Sequence, residues 1–165
     1  MKKKTSRIVI IDDDPFVTEH IGKSFAERLP GVEVVGITNP IAPVGFDVYI
    51  IDREFGGDNH GQDLVQRVKE LSPNSMVIAY SAFLDRDYLR ALLAEDCEGA
   101  FDKGSLEELD NMIKLIEDFL ASGQLPHKSS TKSKGTVQSI FKLVREWNIR
   151  LSHSGNASAE YQSDA

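Results

Sequence analysis

Short apolar runs that end in polar side chains constrain the fold of this chain more than any other feature of its sequence. Residues 8–11 are all isoleucine or valine, and they run directly into Asp12, Asp13 and Asp14. Later apolar runs also end in reactive side chains, at Asp52, at Ser81 and at Asp102-Lys103. Strands that are apolar throughout are typical of a parallel sheet covered on both faces. Carboxylates clustered at the end of such a strand repel one another, and a bound divalent cation is the usual remedy.

Segments with helical signals separate these runs. Strands are predicted at 7–11, 32–37, 47–51, 76–80 and 99–102, and helices at 15–28, 61–71, 85–95 and 105 to about 121. The alternation predicts a parallel sheet with right-handed crossovers, and five such units fit a flavodoxin-like, doubly wound α/β sheet of strand order 2-1-3-4-5. Residues 39–45 are too few and too proline-rich for an ordinary helix, so we expect the second helix to be shortened or missing.

The sequence also indicates how two helices begin. Pro15 suits the first turn of the first helix, and Asp14 is assigned to opening that helix. Its apolar stripe is predicted to contain Phe16, Ile21, Phe25 and Leu29. At the last helix, Ser105 is followed three residues later by Glu108, which is the signature of a capping box.

The predicted topology brings the polar strand ends together. Strands 1 and 3 of a 2-1-3-4-5 sheet are neighbours, and ligands bind there outside the carboxyl ends. Mg²⁺ prefers oxygen ligands, which one or both of Asp12 and Asp13, Asp52 and a backbone carbonyl just past Asp52 offer. Asp52 is the candidate nucleophile for an acyl phosphate, while the Ser81 hydroxyl and the Lys103 ammonium bind phosphoryl oxygens. Each residue alone has an ordinary explanation as a cap, a turn residue or a solvated charge, so the predicted phosphate site depends on the whole set.

Composition fits one domain with an appendage. The chain has 165 residues, of which 41% are hydrophobic, and a net charge of -7. Residues 1–122 carry 13 Lys and Arg against 23 Asp and Glu, so by charge this part is a poor nucleic-acid binder. A single cysteine, Cys97, excludes an internal disulfide, and the apolar run after the N-terminal lysines is too short for a signal sequence. We therefore expect a cytoplasmic protein with no membrane span.

Residues 6–122 resemble a response-regulator receiver domain of two-component signalling. The motifs that carry the resemblance are Ile8-Val9-Ile10-Ile11-Asp12-Asp13-Asp14-Pro15, Tyr49-Ile50-Ile51-Asp52, Ala79-Tyr80-Ser81-Ala82 and Gly99-Ala100-Phe101-Asp102-Lys103. The resemblance implies that a histidine kinase or a histidine phosphotransfer protein transfers a phosphoryl group to Asp52. Such a domain is a phosphoacceptor rather than an enzyme, since its only reactions are its own phosphorylation and dephosphorylation.

The resemblance also assigns the remaining site residues. It makes Asp12, Asp13, Asp52 and the backbone carbonyl of Arg53 ligands of Mg²⁺, or of Mn²⁺ in its place. Ser81 and Lys103 match the positions that respond to the phosphoryl group. They switch a face built from the fourth helix, fifth strand and fifth helix, where an unidentified downstream protein is expected to bind.

The chain departs from the family pattern around this site. Gly56 stands where the family has a proline, and Gly61 comes one residue late, so the loop after Asp52 is one residue longer. Gly104 replaces the usual proline after the lysine, and Ala100 stands where an aromatic residue is expected. These changes concern the switch and the partner face rather than the phosphorylation chemistry.

Two further positions are expected to tune the lifetime of the phosphate. The acid Glu54 either orients or repels the attacking water, so the sign of its effect stays open. Phe83 is bulky and is expected to screen the phosphate. We therefore predict slow self-dephosphorylation.

The C-terminal part has a different character. Residues 123–165 carry 6 Lys and Arg against 3 Asp and Glu. Their pattern predicts a flexible linker at 123–136, an amphipathic helix at 137–151 and a disordered tail at 152–165. The apolar face of that helix, which points away from Arg150, includes Ile140, Phe141, Val144 and Trp147.

This helix has several candidate partners. It docks on its own domain or on a dimer mate, or it is offered to another protein when the domain is phosphorylated. Binding to a membrane surface is a third alternative. One short helix cannot form a DNA-binding output domain, so we expect no direct DNA binding.

Two other classes of function compete with a phosphoacceptor. A haloacid-dehalogenase-like phosphatase also ends its first strand with Asp-x-Asp, which makes Asp12 its nucleophile, but it leaves Asp52 without a role. An interaction module that works without phosphorylation keeps the fold and does not use the site. The complete set of acids, hydroxyl and lysine argues against such a module.

Overall fold

The computed structural model describes residues 5–126 and 149–150. The predicted C-terminal helix, with Ile140, Phe141, Val144 and Trp147, lies outside these residues except for its positions 149–150, and so do the predicted tail and most of the predicted linker. The helices and strands are, in chain order, β1 (Arg7–Ile11), α1 (Pro15–Arg28), β2 (Glu33–Ile37), β3 (Val48–Ile51), β4 (Glu54–Phe55), β5 (Asp58–Asn59), α2 (Gly61–Leu71), β6 (Met76–Ser81), α3 (Arg86–Ala94), β7 (Gly99–Asp102) and α4 (Leu106–Ser122).

Five parallel strands form the main sheet in the order β2-β1-β3-β6-β7. Since β6 and β7 are its fourth and fifth strands, this is the predicted order 2-1-3-4-5, and the predicted flavodoxin-like α/β fold is confirmed. Every residue of β3 and β6 is buried. Alternate strand residues face two apolar clusters, one against α1 and α4 and the other against α2 and α3, so the sheet is covered on both faces.

The helix starts follow the sequence signals. The Asp14 side chain accepts a hydrogen bond from the Phe16 amide at 2.8 Å, with Pro15 in the first turn, which confirms the predicted opening of α1. Asp85 caps α3, and Ser105 caps α4 because its hydroxyl oxygen accepts a hydrogen bond from the Glu108 amide. The predictions that began these helices at 85 and 105 therefore included the cap residue.

One predicted core position is wrong. Ile21, Phe25 and Leu29 are buried in the stripe of α1, but Phe16 is 73% exposed. It lies in the first turn of α1, and its ring stacks on His20 with the centroids 6.1 Å apart. The helical period predicts which face of a helix is apolar but not which of its turns are covered.

The connection from β2 to β3 contains no helix in residues 38–47, all of which the structure describes, as the prolines there predicted. The segment is held by the Tyr49 hydroxyl, which donates to the Pro43 carbonyl at 2.8 Å. Among the residues that the structure describes, no helix has the length and apolar character needed to cross a lipid bilayer.

A short antiparallel hairpin, β4 and β5, occupies the loop after Asp52. Gly56 and Gly57 form its turn, both with positive φ, at 62° and 89°. Positive φ at both central residues is what a tight hairpin turn requires, and glycine adopts it without steric cost. The extra residue of this loop is thus part of an ordered ribbon beside the carboxyl ends of the strands.

Candidate functional site

Backbone hydrogen bonds that continue past the strand ends fix the two buried acids. The Asp12 amide donates to the Ile37 carbonyl at 3.0 Å, and the Asp52 amide donates to the Ile11 carbonyl at 2.9 Å. The sheet pairing therefore extends one residue beyond β1 and β3. Because the two strands are neighbours, both carboxylates emerge at the same edge.

Lys103, just after β7, bridges these two carboxylates. Its Nζ lies 2.5 Å from Asp12 Oδ2 and 3.1 Å from Asp52 Oδ2. Asp12 is 2% exposed and Asp52 is 7% exposed, so the contacts are largely shielded from solvent. Three residues that are far apart in sequence are thus joined directly.

Asp13 completes a cluster of three acids. One carboxylate oxygen each from Asp12, Asp13 and Asp52 lies within 4.8 Å of the other two. Asp13 is exposed, and its Oδ2 accepts a hydrogen bond from the Gly56 amide at 2.8 Å. The cluster carries three negative charges and contacts one lysine. This donor set of carboxylate oxygens, partly open to solvent, fits a hard divalent cation such as Mg²⁺.

The burial of the cluster alters its protonation equilibria. Burial raises the pKa of the Asp12 carboxyl, while the hydrogen bonds from Lys103 and from the Asp14 amide act in the opposite direction. Burial lowers the pKa of the Lys103 ammonium, but its contacts with Asp12 and Asp52 outweigh that effect and the pKa is raised overall. Lys103 therefore stays charged beside the two acids.

Ser81 ends β6 at the same edge of the sheet. It is 2% exposed, and its Oγ accepts a hydrogen bond from the Phe83 amide at 3.3 Å. Its carbonyl accepts from the Lys103 amide at 3.2 Å, which ties the ends of β6 and β7 together. The five predicted residues Asp12, Asp13, Asp52, Ser81 and Lys103 all lie at this edge.

The arginine after Asp52 has a role that sequence reasoning did not find. An Arg53 guanidinium nitrogen lies 2.5 Å from Asp85 Oδ2 and 3.2 Å from the Phe83 carbonyl oxygen. The guanidinium also lies over the Tyr88 ring, 4.7 Å from its centroid. Arg53 thus ties the loop after Asp52 to the loop after Ser81. Nothing in the local pattern signals this, because its partners are about thirty residues away in sequence.

The Arg53 carbonyl, predicted as a metal ligand, accepts a hydrogen bond from the Gly61 amide at 2.9 Å. Gly61, the first residue of α2, lies directly against this loop. A Cβ at this position would lie 2.5 Å from the Asp52 carbonyl oxygen and 2.6 Å from the Arg53 Cα. Any side chain at residue 61 would displace the loop that carries Asp52.

The two residues assigned to phosphate lifetime differ in exposure. Phe83 is 63% exposed, and Glu54 is half-buried at the start of the hairpin. The hairpin itself was predicted only as a loop, although Gly56-Gly57 between short segments is a recognised hairpin signal. His60 directly precedes α2 and packs its ring against Phe55.

Comparisons with known proteins bear on the fold. No protein-family model matches the chain, and no curated protein does. Among solved structures it is similar to the response regulator DrrB of Thermotoga maritima, an OmpR/PhoB homolog, with 14% identity, a TM-score of 0.62 and coverage of 74% of this chain and 56% of DrrB. It is also similar to a CheY-like receiver domain protein of Methanospirillum hungatei, with 18% identity, a TM-score of 0.63 and coverage of 73% and 97%. The chain has the receiver-domain fold.

A third similar structure contains a mimic of the phosphoryl group. The receiver domain of RcsB from Salmonella enterica serovar Typhimurium is 24% identical, with a TM-score of 0.60 and coverage of 70% of this chain and 90% of that one, and was solved in the presence of phosphomimetic BeF3-. A receiver domain of DrrB is likewise described as BeF3 activated. At these identities the likeness concerns the fold alone.

Proposed function

We propose that the protein is a response regulator that accepts a phosphoryl group on Asp52 in a Mg²⁺-dependent reaction. The observation that carries the proposal is the contact of Lys103 with both Asp12 and Asp52 inside a cluster of three carboxylates. The donor is a histidine kinase or a histidine phosphotransfer protein. We expect no catalytic activity beyond phosphorylation and dephosphorylation of the protein itself.

In the transfer step, a carboxylate oxygen of Asp52 attacks the phosphorus of the donor. The new bond joins Asp52 to the phosphorus, the bond from phosphorus to the donor breaks, and its electron pair leaves with the donor. Lys103 is already 3.1 Å from the attacking carboxylate, so its ammonium is in place to bind a phosphoryl oxygen. Ser81 is proposed to bind a second phosphoryl oxygen through its hydroxyl.

Asp12, Asp13 and Asp52 would hold the metal ion. Bound Mg²⁺, or Mn²⁺ in its place, offsets the negative charge of the acids and of the incoming phosphoryl group. The Arg53 carbonyl remains a proposed ligand through its second lone pair, because the first is used by the Gly61 amide. The three carboxylates are the core of the proposed metal site.

The lifetime of the acyl phosphate depends on the access of water to it. We propose Glu54 and Phe83 as the residues that set this access, from their places beside Asp52 and Ser81. The Phe83 ring is largely exposed, so it is free to lie over a phosphoryl group or to leave it open. We expect Phe83→Ala to shorten the half-life of the phosphorylated protein.

The signal is proposed to leave by contact with another protein rather than by DNA binding. Residues 1–122 carry ten more acidic than basic residues, and such a surface repels a phosphate backbone. A homodimer is one form that the contact can take. The cytoplasm, where histidine kinases phosphorylate their partners, is the proposed location.

The test is incubation of the full chain with acetyl phosphate and Mg²⁺, followed by measurement of its intact mass. Wild type should gain one phosphoryl group, and neither Asp52→Asn nor wild type with a chelator should gain any. Asp102→Asn is the matched control, because Asp102 also ends a strand at this edge. Its side chain accepts a hydrogen bond from the Gly104 amide. Equal labelling of Asp52→Asn and wild type would overturn the proposal.

One observation weighs against the phosphatase alternative. A phosphatase of that class would need Asp12 and Asp14 together in its site. Asp14 is instead exposed, and it caps α1 by accepting a hydrogen bond from the Phe16 amide. The phosphorylation-independent module predicts no labelling in the same mass experiment.

A further inference from the structure

Arg150, from the C-terminal part of the chain, lies against the junction of β7 and α4. One guanidinium nitrogen donates a hydrogen bond to the Ala100 carbonyl, and another pairs with the Glu108 carboxylate. The guanidinium carbon lies 5.4 Å from the centroid of the Phe101 ring. A carbonyl, a carboxylate and a ring face are thus all used by one planar cation, which is the kind of contact that arginine makes and lysine cannot reproduce.

The surface that Arg150 contacts is connected to the candidate phosphorylation site. Glu108 Oε2, which pairs with Arg150, also accepts a hydrogen bond from the Asp102 amide at 3.3 Å. Asp102 is followed by Lys103, which contacts Asp12 and Asp52. Glu108 therefore lies between Arg150 and the strand end that carries the lysine of the site.

Charge complementarity favours this contact. Residues 123–165 have a net charge of +3, whereas residues 1–122 have a net charge of -10. Opposite net charges favour the approach of the basic part to the acidic domain, and the three contacts of Arg150 give that encounter a definite place. Both Arg150 and Glu108 are about three-quarters shielded from solvent, at 26% and 22% side-chain exposure, so the pair is screened less than a surface pair.

We propose that Arg150 anchors the C-terminal segment in cis on the surface formed by Ala100, Phe101 and Glu108. While the anchor holds, this surface is not available to another protein.

The test uses the full chain and needs no phosphorylation. Trp147 is the only tryptophan of the chain and lies three residues before Arg150, so its emission and its quenching by acrylamide report on anchoring. In the full chain, Arg150→Gln should shift the emission to the red and move the docked equilibrium by roughly tenfold, the size expected for a charged hydrogen bond with a cation–π contact. Arg145→Gln removes the same charge from the same segment and should behave as wild type.

Glu108→Gln tests the other side of the contact. It should reproduce the effect of Arg150→Gln, and the double variant should add little to either single variant. Wild-type behaviour of Arg150→Gln, or an equal effect of Arg145→Gln, would overturn the anchor. An emission that changes when the protein is diluted would show a contact between two copies and would overturn the arrangement in cis.

Discussion

Two lysines of this protein contact buried acids at opposite edges of the same sheet. At the amino ends of β6 and β7, Lys69 pairs with one carboxylate oxygen of Glu98. The other oxygen of Glu98 accepts a hydrogen bond from the Val77 amide at 2.6 Å. At the carboxyl ends, Lys103 pairs with both Asp12 and Asp52. We call these the amino-edge pair and the carboxyl-edge cluster.

The two sites differ in their charge balance. The amino-edge pair has one acid for one lysine, and Glu98 is fully buried. The carboxyl-edge cluster has three acids for one lysine, and one of the acids is exposed. The balanced, closed pair has no surplus charge for a ligand to offset. The open cluster has two surplus negative charges, which a divalent cation would offset, so the imbalance rather than the burial makes this edge the candidate site.

The largest expected effect comes from breaking the amino-edge pair. Lys69→Met leaves the carboxylate of Glu98 buried without its cation, and we expect a loss of about 3 kcal/mol in the free energy of unfolding, measured in urea. Lys114→Met, at an exposed position of α4, is the control and should change stability by less than about 0.5 kcal/mol. Equal effects of the two variants would show that the pair is not structural.

Magnesium should distinguish the two edges next. At a free concentration about 100 times the Kd, Mg²⁺ should stabilise wild type by about 2.7 kcal/mol, since only the folded chain assembles the cluster. Asp12→Asn should lose this response, and Glu98→Gln should keep it. The same Mg²⁺ response in Asp12→Asn as in wild type would place the ion elsewhere.

Arg53 is a second cation at the carboxyl edge, but its contacts with Asp85 and the Tyr88 ring keep it out of the cluster. Arg53→Ala should cost about 1 kcal/mol of stability in chemical denaturation, from a partly exposed ion pair and a cation–π contact. The matched control is Arg86→Ala, at an exposed position beside Asp85. If both variants lose the same amount, Arg53 does not join the two loops.

Removing one acid of the carboxyl-edge cluster should stabilise the metal-free protein slightly. Without metal, Asp13→Asn relieves repulsion in the cluster and should stabilise the protein by about 0.5 kcal/mol, while its amide oxygen can still accept the Gly56 amide. Metal-free urea unfolding measures this gain. A clear loss of stability would mean that the cluster is not under electrostatic strain.

The smallest effect is a pH dependence of the amino-edge pair. Burial raises the pKa of the Glu98 carboxyl above its ordinary value of 4.5, with the charge of Lys69 acting in the opposite direction. A raised pKa contributes stability that is complete below the pKa of the unfolded chain and is lost as the pH rises through the pKa of the folded state. The unfolding free energy of wild type should therefore fall relative to that of Glu98→Gln as the pH rises above 4.5. A constant difference between the two proteins would contradict the raised pKa.

The sequence was sufficient for the sheet order and for the edge where the acids meet. Apolar runs that end in Asp12, Asp52 and Ser81 reveal both the strands and their polar ends, because a parallel sheet places all its carboxyl ends at one edge. The prolines in residues 39–45 likewise predicted that no helix joins β2 to β3. In each case a short stretch of sequence determines how distant parts of the chain are arranged.

The contacts that depend on tertiary geometry could not be predicted in this way. Arg53 and Arg150 each contact residues that are distant in sequence, and an isolated arginine carries no pattern. The sequence pattern predicted that Arg150 lies away from the apolar face of its helix, but it gave no sign of the contacts that Arg150 makes with Ala100 and Glu108. The exposure of Phe16 was missed for a related reason, since the helical period does not show which turns of α1 are covered.

The most direct test of the central claim is to locate the phosphoryl group by chemical trapping. Wild type is incubated with acetyl phosphate and Mg²⁺, the acyl phosphate is reduced with borohydride, and the modified residue is identified by peptide mass spectrometry. Reduction at Asp52 alone is the predicted result. Reduction at Asp12, or at no residue of the carboxyl-edge cluster, would contradict the account.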